Sequence, residues 1–416
     1  MKKMIIEGTY NKASVFASIV ETEALKQIEE ICNQPFTEGS HIAVMPDVHS
    51  GKGCTIGLTM TLGDKICPNL VGVDIGCGMT VVELGDIDID FAKLDEVIHK
   101  YIPSGIDCRD TVNIESLSKN TSYKKAIDNT KEILEVVRAP INKDYELLRI
   151  ASLGGGNHFI EIDSDSEGNK YLVIHSGSRH LGVSICEYYM NVANESREGS
   201  LKQKEQRIKD MISLYKATGR QKEIQSEIKC INNTFIISEP NDLAYIEGDS
   251  YENYIHDMKK AQEYANINRE LMSLIICNNM RWERKNVWTT MHNYIDLERN
   301  ILRKGAISLE KDITALIPGS MQFGSLIVKG KGNKEANFSG PHGFGRLMSR
   351  SKAKETLKME DFKNTMDGIY TTCISTSTID EAPMAYKPAE SIIPNIESMC
   401  EIISHIHPIY NFKSSD

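Results

Sequence analysis

The chain has 416 residues, 40% hydrophobic and 25% charged, an ordinary globular composition with room for one large domain or two intimate ones. No apolar run approaches the roughly 20 residues of a bilayer span, and MKKMIIEGTYNKASVF lacks a signal-peptide core, so a cytoplasmic protein is expected. A formal charge of −10 argues against nucleic-acid binding through overall charge; phosphates would need a local basic groove or bound cations.

Residues 40–85 and 150–182 are glycine-rich with short β-branched runs, which predicts short strands joined by tight turns. Residues 121–150 and 185–285 are rich in Lys, Glu, Gln, Ile, Leu and Met, and segments 203–229 and 251–276 predict helices. Strands and glycine loops return over 286–345, a helix is expected over 346–364, and EIISHIHPIYNFK (401–413) predicts one or two strands. Strand blocks and helix blocks are segregated, which favours α+β over a doubly wound sheet. The ten cysteines are scattered with no CxxC pair, so a zinc ribbon or redox motif is not expected, and most read as small buried residues.

Seven segments carry chemistry. VMPDVHSGKGCTIG (44–57) sets Asp47, His49 and Lys52 among glycines, and on its own reads equally as a plain turn. In VGVDIGCGM (71–79) an apolar strand is expected to end at Asp74, with Cys77 three residues on; a carboxylate and a thiolate on one tight loop suit a borderline metal. SLGGGNHFIEI (152–162) offers phosphate-cradling amides, then Asn157, His158 and Glu161. VIHSGSRHLG (173–182) places His175 at a strand end and Arg179 nearby for an anion, whereas His180 falls in the start of a helix. TTMHNYIDLE (289–298) carries His292 and Asn293, and ALIPGSMQFGS (315–325) offers Ser320 and Ser325. SGPHGFGRLMSRSKAKE (339–355) holds His342 in a glycine turn, with a helix expected to begin near Arg346. A histidine there would face an anion site and could attack phosphorus, and Arg346, Arg350 and Lys352 would neutralise phosphate. His41, His99, His256, His405 and His407 sit in ordinary contexts and read as structural or surface residues.

MPDVHSGKG, VGVDIGCGM, GGGNHFIEI, HSGSR, HNY, PGSM, HGFGRLMSR and DEAPMAYK, in this order, resemble the RtcB family of RNA ligases from about residue 40 to Lys413. The resemblance implies an RtcB-like α+β fold with mixed or antiparallel sheets flanked by helices around a composite metal site. It implies one catalytic domain over 1–416, with 185–285 a mostly helical region inside it. The implied activity joins RNA ends bearing a 3′-phosphate or 2′,3′-cyclic phosphate to 5′-hydroxyl ends, consuming GTP with two manganese(II) ions, in RNA repair or tRNA splicing. His342 resembles the residue that becomes guanylylated. Asp74, Cys77 and His158 resemble the ligands of one ion, and Cys77, His175 and His292 those of the second, the thiolate bridging. Guanylate contacts would fall on Asn157, His158, Phe159, Ile160, Glu161, His292, Asn293, Pro318, Gly319, Ser320, Met321, Ser325, His342, Gly343, Phe344, Gly345 and Lys413. Arg179, Arg346 and Arg350 would meet phosphate or RNA. The expected state is a monomer with no membrane attachment, with an archease-type activator as a conceivable partner.

Two residues beside His342 depart from the family pattern: Phe344 stands where a small residue is usual, and Pro341 where Ser or Cys is usual. Two other functions stay open on the sequence. One is a two-metal phosphoesterase or nuclease, which would need the metal ligands but not His342. The other is a noncatalytic RNA-binding relative, which would have no need of the complete ligand set.

Overall fold

The computed structural model describes residues 3–234 and 240–414; residues 235–239 of the expected helical region lie outside the described residues. Two sheets carry the molecule. The larger has seven antiparallel strands in the order Asn286–Met291, Gly78–Gly85, Lys170–Ser176, Phe159–Ser164, Cys400–Lys413, Ser325–Gly330, Thr314–Pro318. The second has six, in the order Met4–Glu7, Lys12–Val15, Ile42–His49, Ile56–Thr61, Ile301–Lys304, Asn293–Asp296, with one parallel pairing between Lys12–Val15 and Ile42–His49. The expectation of an α+β chain with mixed and antiparallel sheets is met.

The seven-stranded sheet is apolar on both faces, and the period of two along each strand sorts its residues. Leu172 and Ile174 join the main core on the helical side, while Val173 joins Met79, Val81, Phe159 and Ile406 on the other. His175 shares the parity of Val173 and is thereby delivered to the face away from the helices, while Cys77 stands in the turn just before Gly78.

The helices Thr121–Val136, Arg179–Ala217 and Gly248–Met280 cover the opposite face, in agreement with the helical composition of 121–150 and 185–285. The last of these packs directly on the strands Gly78–Gly85 and Lys170–Ser176.

Two local expectations need correction. The apolar run before Asp74 is not a strand: residues 71–77 form turns, and the strand begins at Gly78, after the cysteine. No helix starts at Arg346; the expected stretch 346–364 splits into Arg350–Thr356, capped by Ser349, and Met359–Thr365. The C-terminal segment, expected as one or two strands, is one strand, Cys400–Lys413, bent by irregularities that let it pair with one neighbour on each side.

Leu172 is fully buried in the main core, and Leu172→Ala should cost about 2–5 kcal/mol. The check is a lowered thermal unfolding midpoint; an unchanged midpoint would contradict the packing described.

Candidate metal centre and nucleotide pocket

The centre begins with the turn that carries Cys77. Gly76 has a φ of +73°, and a Cβ there would sit 2.9 Å from the Gln262 Cα, so the turn needs glycine for both its conformation and its closeness to a helix. The Cys77 amide donates to the Asp74 carbonyl (3.2 Å), and the His292 amide donates to the Cys77 carbonyl (2.9 Å). Gly177 leaves room for Asp74: a Cβ there would fall 1.9 Å from the carboxylate.

Three of the expected metal ligands meet. Cys77 Sγ lies 3.4 Å from His158 Nε2 and 3.3 Å from His175 Nε2, and the three donor atoms are within 4.8 Å of one another. Asp74 Oδ2 adds a contact of 3.1 Å to His158 Nε2. The opposite ring nitrogens face backbone carbonyls: His158 Nδ1 that of Leu153 (2.9 Å) and His175 Nδ1 that of Asn157 (3.2 Å). This aims both Nε2 atoms at the sulfur, as second-layer carbonyls orient ligating imidazoles. His292 stands farther out, its ring centroid 5.2 Å from that of His175 and 4.8 Å from that of His342. Its Nδ1 is buried with no hydrogen-bond partner.

Electrostatics match this donor set. Burial pushes His175 and His292 well below the ordinary imidazole range, so both are neutral and can donate a lone pair. Burial would raise the Asp74 carboxyl, but the hydrogen bond and charge of His158, with Arg179 behind, hold it below its usual value. Burial first, and Asp74 second, push the Cys77 thiol well above its usual range. A thiolate there calls for a compensating cation, and one sulfur, several imidazoles and a carboxylate fit a borderline divalent ion.

Above the cluster opens a pocket of about 500 Å³, a size suited to a mononucleotide. Asn157, Phe159, Glu161, His175, the turn Pro318–Met321, His342–Arg346, Arg350 and Lys413 line it, with His49 at the side. His342 follows the short strand Ser339–Pro341, which sets its direction where a helix N-terminus was expected to. The buried Asp47 carboxylate accepts from the His342 amide (3.1 Å) and holds Nδ1 at 2.6 Å, leaving Nε2 as the nitrogen available to react. His49 keeps its ring roughly parallel to that of His342, and burial lowers it to about 4, so it is neutral. Lys387, also buried, donates to the carbonyls of Ile19, Pro46 and Val48 and fixes the strand that bears Asp47.

The expected basic cluster exists, but in a different form. Arg346 and Arg350 reach Glu381 at 3.1 and 2.6 Å, Lys413 reaches it at 2.7 Å, and Tyr386 also donates to it. Burial opposes its charge, yet Lys413 and Arg350 outweigh this and lower Glu381 to about 2. The cations are thus pre-extended around a carboxylate at the pocket wall. Lys352 is exposed on the helix and stands apart from them.

Other expected contacts sit elsewhere. Ile160 turns its side chain into the helical core. Asn293 spends its amide on the Asp74 carbonyl (3.0 Å) and the Gly305 amide (2.8 Å), tying two loops beneath His342. Ser325 is buried behind the pocket with its hydroxyl unpartnered. Arg179 lies over Gly154 with Nη1 3.2 Å from His158 Nδ1, nearer the metal loops than the open pocket. Phe344 buries its ring against Phe323, 4.7 Å between centroids, and acts as wall. Asp47, His49, Glu381 and Lys387 were left unassigned by the sequence. Only membership of MPDVHSGKG and DEAPMAYK marked them.

A buried thiol–imidazole cluster that could hold a metal ion, under a pocket bordered by an aspartate-held histidine, defines the class of a candidate metal-binding protein. Residues 27–414 match the family model of the tRNA-splicing ligase RtcB, and the chain belongs to that family. It is 31% identical to the RNA-splicing ligase RtcB of Escherichia coli K12, over 95% of each chain. It is 23% identical to the tRNA-splicing ligase RtcB of Thermococcus kodakarensis, over 98% of this chain and 95% of that one. It is also 23% identical to the RNA-splicing ligase RtcB homolog 1 of Entamoeba dispar, over 99% and 89%.

Cobalt(II) titrated into the protein should give a thiolate-to-cobalt charge-transfer absorption that Cys77→Ser lacks. The same spectrum from that variant would place the metal away from this cluster.

Proposed function

We propose that the chain is a GTP- and manganese(II)-dependent RNA ligase that joins a 3′-phosphate or 2′,3′-cyclic phosphate end to a 5′-hydroxyl end through a guanylate carried on His342. The observation that carries this reading is the His342 imidazole, held at Nδ1 by buried Asp47, on the wall of a nucleotide-sized pocket beside the Cys77–His158–His175 cluster. Hydrolysis alone would have no use for such a nucleophile. The whole chain, 1–416, is taken as one catalytic domain, because its site draws on segments from Asp47 to Lys413. The same reading takes the enzyme as a cytoplasmic monomer and leaves room for an archease-type activator.

Two manganese ions held by Asp74, Cys77, His158, His175 and His292, with Cys77 shared, would supply positive charge against the oxygens of the reacting phosphates. The protein's own groups do the rest. His342 Nε2 attacks the α-phosphorus of GTP, a P–N bond forms, and pyrophosphate leaves. Asp47 keeps the Nδ1 proton in place, which fixes the lone pair on Nε2 and balances the charge the ring gains. The guanylate then passes to the RNA 3′-phosphate and frees His342. The 5′-hydroxyl attacks that activated phosphorus and GMP leaves. A cyclic phosphate has first to be opened by water.

Glu161, facing the pocket and held by Asn411 (2.6 Å), suits the donor edge of guanine. The amides of Pro318–Met321 and Gly343–Gly345 border the same space. Lys413, Arg346 and Arg350 are placed for phosphate oxygens, which would share them with Glu381.

Incubation with GTP labelled at the α-phosphate and manganese, followed by a denaturing gel, should leave label on the protein. His342→Ala should carry none, and Asp47→Asn about 100-fold less per unit time. Label retained on His342→Ala would reject the nucleophile. The Glu161 carboxyl is raised by burial to about 7, against the opposing Asn411 hydrogen bond and Lys413 charge. Below that pH it is protonated and loses its acceptor pair. The KM for GTP should therefore rise as pH falls from about 8 to 6, whereas Glu161→Gln should be weak throughout. A KM with the same pH profile in both proteins would remove Glu161 from guanine recognition.

A further inference from the structure

The helix Gly248–Met280 supplies none of the ligands and carries none of the recognised motifs. It nevertheless buries two adjacent polar residues, Asn268 and Arg269, completely. Full burial of an amide and a guanidinium is costly unless every polar atom is used. Here five of the bonds go to backbone groups of the ligand-bearing segments and the rest to side chains.

Asn268 accepts from the Ser152 amide (3.1 Å) and donates to the Ser152 carbonyl (3.1 Å), the Ser176 hydroxyl (3.1 Å) and the Gly177 carbonyl (3.2 Å). Arg269 Nη1 donates to the carbonyls of Gly76 (2.9 Å) and Ser176 (2.8 Å). Its Nη2 reaches Asn266 and the Thr289 hydroxyl, and its Nε the Thr80 hydroxyl. Gly76 precedes Cys77, Ser176 follows His175, Ser152 opens the glycine turn that leads to His158, and Thr289 lies three residues before His292. Two neighbouring side chains therefore touch every segment that bears a cysteine or histidine of the centre. The guanidinium accepts no carboxylate partner in this set; its planar fork is matched to carbonyls from two different loops.

We propose that Asn268 and Arg269 are positioning residues of the metal centre, a two-residue tie that sets the distance between the Cys77, His158 and His175 loops. The proposal rests on the reading of those three residues as metal ligands. The tie works by geometry: the sulfur and the two Nε2 atoms converge only if three independent loops are held in one register. One rigid helix crossing all three provides that register. Loss of outer support of this kind weakens metal affinity without removing a ligand.

The test uses the full chain and manganese(II) alone, with free Mn(II) read by electron paramagnetic resonance during titration and folding read by thermal melting. Arg269→Met should bind Mn(II) about 10- to 100-fold more weakly than the parent protein, and Arg269→Lys should fall between them. Asp257→Asn is the control for mere loss of a buried polar contact. Asp257 lies on the same helix and accepts from the Arg138 and Ala139 amides (2.9 and 2.8 Å), remote from the loops. Its variant should melt earlier with Mn(II) affinity unchanged. If Arg269→Met does not fold, Arg269→Lys decides by the same titration. Parent-like affinity in a folded Arg269 variant would overturn the tie while leaving the metal centre standing. A fall in affinity for Asp257→Asn equal to that of Arg269→Met would also overturn it. A parent protein that binds no Mn(II) would instead overturn the metal centre itself, and the tie with it.

Discussion

Everything in this site depends on a sulfur atom and two imidazole nitrogens being forced together where water is excluded. Cys77, His158 and His175 are almost completely buried. In such surroundings an isolated charge is expensive, so burial drives the thiol toward its protonated form and His175 toward its neutral form. The result is a set of soft and borderline donors with their lone pairs turned inward and their outer nitrogens facing backbone carbonyls. A divalent cation bound there would resolve the tension that the packing creates. Everything else in the fold either holds these loops in register or brings a reacting group to their edge.

The same logic of compensated charge shapes the pocket wall. The chain is acidic overall, yet Arg346, Arg350 and Lys413 are gathered at the pocket wall. Arg346, Arg350 and Lys413 do not wait as free charges. They are drawn together by Glu381, with Asp380 holding Arg350 from the other side. Holding three long side chains extended before a ligand comes spares the entropy of ordering them on binding. The cost is competition, since a phosphate bound there would share the guanidiniums with a carboxylate already in place. Asp47 plays the corresponding part for His342, where a buried carboxylate gives one imidazole a fixed tautomer and direction.

Phe344 and Pro341 illustrate how departures from the family pattern can be absorbed. Pro341 ends a strand paired to Ala306 and passes directly into His342. Phe344 fills an apolar cluster with Phe323 behind the His342 loop. Both are buried, and Phe344 forms part of the pocket wall.

Much was readable from the chain alone. Glycine-flanked segments marked the loops, and helical composition over 121–150 and 185–285 marked the covering layer. The ordered motifs named the family and, by position, the residues from Asp74 to His342. Alternation along Lys170–Ser176 puts His175 on the face of Val173, because side-chain alternation is a property of the backbone itself. What lay beyond it were relations between distant segments. The apolar run before Asp74 looks like a strand, but the turns over residues 71–77 are held by Asn293 and Arg269, some two hundred residues away. Arg346 looks like a helix start, but its fate was set by Glu381 and Tyr386 across the pocket. Asp47, Asn268 and Glu381 announce nothing locally, since a carboxylate or an amide acquires its role only from what is packed against it. Local residue pattern therefore determined which segments carry chemistry. The tertiary structure alone decided which of those groups meet, because burial and long-range hydrogen bonds are set by the whole fold.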